Sequence, residues 1–331
     1  MLKFCAVAVV MQLTCTTVKS QQQEEPIEAE PKKSRGILVT GGWNGVNQAS
    51  KSLNTLTKHI QEILHHIQLF DPFRDTLTEI VDFGLRPMWG PSSAAYRNRV
   101  YVIGGRDNAG VSKQVQIYDP NLDQTFPGSS MKVARRWHTS NLLNGQIYVC
   151  GGTDNNGEPL RSCETYNLTT HEWTSIGDMP APGRYAHSAA VLNDRLYVIG
   201  GWDGERFLSD LIVYDSDTNQ WLTNRRNMIQ ARMAAGAVAY HGHLIVCGGW
   251  MKTQRLQTCE VYSPFMDKWS FGPSLEERRS SHAMLVYEDA IFVIAGEDND
   301  YHMLDSIEHY DIRNNVSRTL KAHLQVSENN G

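Results

Sequence analysis

Apolar runs that end in glycine recur along this chain, separated by polar stretches. They read ILVTGG (37–42), VYVIGG (100–105), IYVCGG (147–152), LYVIGG (196–201) and LIVCGG (244–249); in IFVIAG (291–296), Ala295 replaces the first glycine. From 105 onward the ends fall at 152, 201, 249 and 296, spacings of 47, 49, 48 and 47 residues. A fixed period of this size is the mark of a repeat architecture. Tyr118, Tyr166, Tyr214, Tyr262 and Tyr310 follow the glycines by 13 or 14 residues, and Trp173, Trp221 and Trp269 lie seven beyond their tyrosines. Within one unit, HSAAVL, RLYVIG, LIVYD and NQWLT are β-forming runs bounded by turn residues. The pattern predicts an all-β fold, a six-bladed propeller with four antiparallel strands per blade. The propeller is expected over 36–331, with repeats near 36–88, 89–135, 136–183, 184–231, 232–278 and 279–331. The tyrosines and core tryptophans are expected to fill the space between blades.

Unit one departs from the pattern. Gly42 and Phe70-Asp71-Pro72 are 28 residues apart, and Leu53, Leu56, Ile60, Ile63, Leu64 and Ile67 recur at helical spacing. This predicts a short helical insertion in blade one, either packed on the propeller edge or used for docking. Leu77, Phe126 and Ser317 stand where other units have tryptophan, and the link from Met88 to Val100 is short and lacks an arginine.

Composition narrows the function. The 331 residues are 41% hydrophobic and 20% charged, enough for a large core, and a net charge of −5 gives no basic field for nucleic acid. Lys3 and the apolar run Phe4 to Leu13 read as a weak secretory signal over 1–20 or an extended N-terminus, followed by a flexible polar linker over 21–35. No apolar run reaches the roughly 20 residues needed to span a bilayer.

The double glycine, the Tyr-Asp pairs and the tryptophans at these offsets resemble the kelch repeat over about residues 36–318. EPKKSRGILVTGGW (30–43) resembles the junction at which kelch-like adaptors pass from BTB and BACK domains into their propeller, and nothing upstream resembles either domain. The resemblance implies that the innermost strand of blade one comes from the C-terminal tail, HLQVSE (323–328). It also implies partner contacts on the face where post-glycine loops and inter-blade links meet. The loop residues there are Trp43, Asn44, Arg106, Asp107, Asn108, Asp154, Asn155, Trp202, Asp203, Trp250, Asp298 and Asn299; the link residues are Arg136, Trp137, Arg184, Tyr185, Arg232, Arg279 and Ser280. Trp43, Trp202 and Trp250 follow turns rather than lying in strands, which suits interface hot spots. The link arginines suit either inter-blade bonding or an acidic ligand.

On this resemblance the chain is a cytoplasmic scaffold or substrate-recognition module that captures a protein or peptide, an acidic one among the options, as ubiquitin-ligase adaptors and actin-associated kelch proteins do. A cullin ligase would be recruited only if a BTB domain were supplied elsewhere. The alternative is an exported carbohydrate-binding or sialic-acid mutarotase-like protein that uses the central channel. No nucleophile and base set, phosphate loop or metal motif is present, so no cofactor or metal is expected. His138, His187 and His282, near the link arginines, are read as hydrogen-bonded structural residues. Cys150 and Cys163 share a register with Cys247 and Cys259, and would form two disulfides in a secreted chain, where Asn167 and Asn315 head glycosylation sequons.

Overall fold

The computed structural model describes residues 9–12, 37–40, 66–71, 76–81 and 85–323, apart from 87, 120 and 123. Among them there is no helix. The predicted helical insertion lies outside them except at its C-terminal end, where His66–Asp71 is a strand and corrects the expectation locally.

Five four-stranded antiparallel blades follow in chain order, numbered here by their repeats. In blade four, Ser188–Leu192 pairs with Arg195–Trp202, that strand with Phe207–Asp215, and that with Gln220–Leu222. Blades two, three, five and six begin at Ser92, Thr139, Gly236 and Ala283 and repeat the meander. The central strands are apolar on both faces because each blade is covered on both sides. Ile199 and Val213 of blade four share a cluster with Leu244 and Val246 of blade five, for example.

A further four-stranded sheet joins Val9–Gln12, Ile37–Thr40, His66–Asp71 and Thr76–Val81. Its first strand lies beside the first strands of both blade two and blade six. This corrects the expectation for the tail, of which only His323 lies within the described residues. Val9–Gln12 pairs with Ile37–Thr40, whereas Val316–His323 is the outer strand of blade six. Ala322 is already buried in that blade's cluster with Phe292 and Ile294, so this part of the chain is committed there.

The core aromatics do what their spacing implied. Trp173, Trp221 and Trp269 stack tilted on Tyr166, Tyr214 and Tyr262 at 5.0 Å, and each indole N–H donates to a carbonyl in the segment leaving the preceding blade: Ser129, Gly177 and Arg226. Where blade six has Ser317 instead, the hydroxyl donates to Glu308 at 2.6 Å. Both predicted cysteine pairs are directly opposed across strands and bonded, Cys150–Cys163 and Cys247–Cys259, with Cα separations of 4.3 and 4.1 Å.

Candidate functional site

Each link between blades carries one fully buried arginine: Arg135, Arg184, Arg232 and Arg279. The equivalent in the third repeat is thus Arg135, one residue before the arginine that spacing suggested. Its backbone belongs to the preceding blade, accepting from Gly105 N–H at 2.9 Å and donating to the Ser112 carbonyl at 3.1 Å. Its guanidinium reaches into the following blade, donating to the Gly151 and Ser162 carbonyls and pairing with Glu164 at 2.8 Å. Arg232 with Glu260 (2.7 Å) and Arg279 with Glu308 (2.6 Å) repeat this, while Arg184 uses Asp210 (2.7 Å). The three glutamates also accept two backbone N–H groups each from the link turn, as Glu308 does from Glu276 and Glu277. A buried ion pair is tolerated only when its remaining bonds are met in this way. Glycine suits the turn before the loops of blades two to five: at Gly104, with φ +62°, an added Cβ would stand 2.5 Å from the Arg135 carbonyl oxygen, whereas blade six holds Ala295 there at φ +58°.

Two residues beyond these arginines the backbone turns left-handed, at Trp137, Ala186, Ala234 and Ser281 (φ +56°, +48°, +52° and +55°), as it does at the equivalent Gly90 (φ +66°), two beyond Met88. Each residue from Trp137 onward donates its N–H to the carbonyl of its equivalent in the preceding blade, at 2.7–2.9 Å. This hydrogen-bonded arc encircles a channel of about 340 Å³ lined with serine, alanine and histidine, including Ser92, Ser140, Ser188, His138, His187 and His282. Burial, and then the neighbouring arginines, hold His187 and His282 down at about 3 and His138 well below the usual imidazole range. They are neutral, and His187 and His282 bond Thr139 Oγ1 and Gly236 N–H.

At the channel mouth, post-glycine residues bridge to link residues: Arg106 to Trp89, Thr153 to Arg136, Trp202 to Tyr185, Trp250 to Met233 and Glu297 to Ser280. Loops and links therefore meet on one face. Aromatic rings form a shelf there, with Trp89 edge-on to Trp137 (5.5 Å), Trp137 stacked on Tyr185 (5.4 Å) and Trp202 against Phe207 (4.6 Å). Two arginines lie on ring faces. Arg136 is 4.0 Å from the Trp137 centroid and 5.0 Å from that of Trp89; Arg255 is 4.9 Å from Trp250 and 4.1 Å from Tyr301. Arg255 also pairs with buried Glu297 at 2.8 Å, where burial outweighs the guanidinium and raises the carboxyl above its ordinary value.

The family model for the KLHDC2/KLHL20/DRC7 Kelch-repeats domain matches residues 93–296, more than half of this sequence. The chain belongs to the kelch-repeat family. It is 30% identical over 156 residues to Kelch-like protein 15 of Homo sapiens, covering 40% of this chain and 25% of that protein. Kelch-like protein 36 of Mus musculus is 28% identical over 169 residues, covering 47% and 27%. An F-box/kelch-repeat protein of Arabidopsis thaliana is 28% identical over 176 residues, covering 48% and 46%. The chain thus spans between a quarter and a half of these relatives. The solved structure of YjhT superposes with a TM-score of 0.70 over 86% of this chain and 94% of its own, at 14% identity, a likeness of fold.

Within this kelch rim the sequence-predicted residues separate into three groups. Arg184, Arg232, Arg279 and Ser280 are buried in the scaffold, so inter-blade bonding is their role. Trp250 is buried too, packed with Met233, Trp202 and Phe207, which corrects its reading as an exposed hot spot. Asp107, Asp154, Asp203 and Asp298 each accept N–H groups of their own loop, and Asn155 and Asn299 accept from Val111 and Arg255 in the preceding blade's loop. They shape the kelch loops. Arg106, Asn108, Trp137 and Trp202 keep exposed surface, whereas Tyr185 and Arg136 are buried against the shelf. Trp43 and Asn44 lie outside the described residues. Sequence reasoning missed Trp89, Arg135, Phe207 and the Arg255–Glu297 pair. Glu164 and Glu308 stand 29 residues beyond their arginines and Glu260 stands 28, a recurring spacing that would have revealed the buried pairs.

Proposed function

We propose that this chain is the recognition module of a kelch protein, holding an extended peptide or small protein domain on the loop face, and that the N-terminal sheet closes the ring as a sixth blade. The aromatic shelf of Trp89, Trp137, Tyr185 and Trp202 carries the reading. Such rings supply much contact area at little entropic cost, and arginine beside them has the composition of an interface hot spot. The named kelch-like relatives support a protein-interaction role. Whether the whole protein serves a ubiquitin ligase depends on domains of the kind those relatives carry beyond the matched region.

Panning a peptide library on the folded chain tests this. Selected peptides should lose at least tenfold in affinity to Trp202→Ala and keep it on Phe265→Ala, at an exposed turn between the outer strands of blade five. Peptides indifferent to Trp202 would sink the proposal.

The channel supports the second reading, an enzyme acting on a sugar acid, because it is lined with serine hydroxyls and neutral histidines that can hydrogen-bond the hydroxyls of a sugar. Following N-acetylneuraminate mutarotation by NMR separates the two: acceleration supports the enzyme, and an unchanged rate supports the binding module. The cytoplasmic setting implied by the kelch-like resemblance and the two disulfides point in opposite directions. Counting free thiols in the native protein decides between them.

A further inference from the structure

We propose that the outer corner of blade five is a lipid-docking site, where Phe265 and Met266 enter an anionic membrane surface and Arg226 and Lys268 meet its headgroups. The corner is separate from the loop face, and the proposal goes beyond the capture of a peptide there.

The repeat isolates the turn. Three residues after each repeat tyrosine, the turn between the two outer strands holds Asn121, Thr169, Asp217, Phe265 and Arg313. Four residues after it stand Leu122, Thr170, Thr218, Met266 and Asn314, so among blades two to six only blade five is apolar at both positions. Phe265 is 98% exposed and Met266 64%, so neither contributes to the core. A single exposed apolar residue is ordinary, but these have company. Met266 lines one shallow hollow with Ile229, Arg226 and Lys268. The Ile229 N–H donates to Glu260, and Phe271 stands directly opposite Glu260 across the strand pair. Directly opposed residues share a sheet face, so Phe271 joins the same corner. Half of the eight exposed large hydrophobics among the described residues therefore gather at it.

The corner is held in shape, and its acid is committed to the scaffold. Asp267 accepts from the Tyr262 hydroxyl at 2.6 Å and from the Arg226 backbone N–H at 3.1 Å, while the Trp269 indole donates to the Arg226 carbonyl at 2.8 Å. These bonds pin the turn to the link that enters blade five and leave Arg226 and Lys268 exposed beside it. An apolar tip flanked by cations has the composition of a membrane-surface anchor, whose apolar side chains enter the acyl boundary while the cations meet lipid phosphates. The chain carries a net charge of −5, so attraction to an anionic surface is local to this corner. A second copy fits it less well, because an isologous contact brings the same cations face to face.

The test is co-sedimentation of the full chain with vesicles of phosphatidylcholine alone and of phosphatidylcholine mixed with phosphatidylserine, beside sedimentation velocity of the chain without lipid. We expect retention on the anionic vesicles, less on the neutral ones, and release as salt is raised. Phe265→Ser should weaken binding about tenfold, through loss of a buried ring. Arg226→Gln and Lys268→Gln should each weaken it about fivefold. Leu122→Ser, at the same turn of blade two, should bind as the parent chain does. All four side chains are exposed, so the variants should melt with the parent. Absence of retention on either vesicle, or retention that Phe265→Ser leaves unchanged, overturns the site. Equal retention on neutral and anionic vesicles overturns the anionic surface as its occupant. A concentration-dependent dimer that is lost in Phe265→Ser, with no vesicle binding, gives the corner to a second copy instead. Peptide capture on the loop face is read through Trp202, so the two proposals fail separately.

Discussion

Arg136, in an inter-blade link, and Arg255, in a post-glycine loop, both stand at the channel mouth, and they differ in whether a carboxylate faces them. Both are buried, both lie on two aromatic faces, and both approach a hydroxyl through Nε at 3.4 Å, Thr153 for one and Ser280 for the other. The difference sits in the post-glycine position: Glu297 in blade six supplies Arg255 with a counter-charge, whereas Thr153 in blade three gives Arg136 a hydroxyl. For each, the residue at the facing post-glycine position decides whether the cation has a counter-charge.

The largest expected effect is on the paired side. Glu164→Gln leaves the Arg135 guanidinium without its carboxylate and weakens the cap on the Lys132 and Val133 N–H groups, so it should cost about 3–5 kcal/mol in urea denaturation, as breaking a buried pair does. A loss under about 1 kcal/mol would mean that the buried pairs are not what rivets the blades.

A smaller, graded effect comes from the histidines set among the rivets. His187 and His282, held at about 3, and His138, also lowered, remain neutral when folded, while the unfolded chain titrates near the ordinary value of 6.5. Above about pH 6.5 both states are neutral and these groups contribute nothing to the pH dependence. As pH falls from there toward 3 the unfolded chain takes up protons that the folded chain refuses, so stability is lost, by up to about 1.4 kcal/mol per pH unit for each histidine. Melting temperature should therefore fall between pH 6.5 and 4, and less steeply in His282→Asn.

The smallest effect on folding converts one side into the other. Thr153→Glu places a carboxylate where Glu297 stands in blade six. It should change stability by less than about 1 kcal/mol, because gained pairing offsets the crowding of a buried site. A loss of more than about 2 kcal/mol would show that Arg136 does not take up a counter-charge at that position.

Much of this was legible in the chain. Glycine pairs, tyrosines and tryptophans at a constant offset gave the blades, since packing between blades demands large rings at the same place in every unit. The opposed cysteines were legible for a similar reason, because equal register puts each pair on facing strands. What failed depended on closure and on contacts across blades. Nothing in VVMQ (9–12) marks it as the partner of Ile37–Thr40 rather than part of an export signal. Trp250 follows a turn just as Trp202 does, yet only the fold shows it covered by its neighbours. Arg135 and Arg136 are adjacent, and spacing alone chose the wrong one as the rivet. The left-handed arc that carries Trp137 has no signature when alanine, serine and tryptophan replace glycine.

The most direct measurement is urea denaturation of Arg136→Gln beside Arg255→Gln. Arg255→Gln leaves buried Glu297 without its counter-charge and should lose about 3–5 kcal/mol, whereas Arg136→Gln removes an unpaired buried charge and should stay within about 1 kcal/mol of the parent chain. Equal losses would contradict the account, because they would make Arg136 as much a part of the scaffold as Arg255.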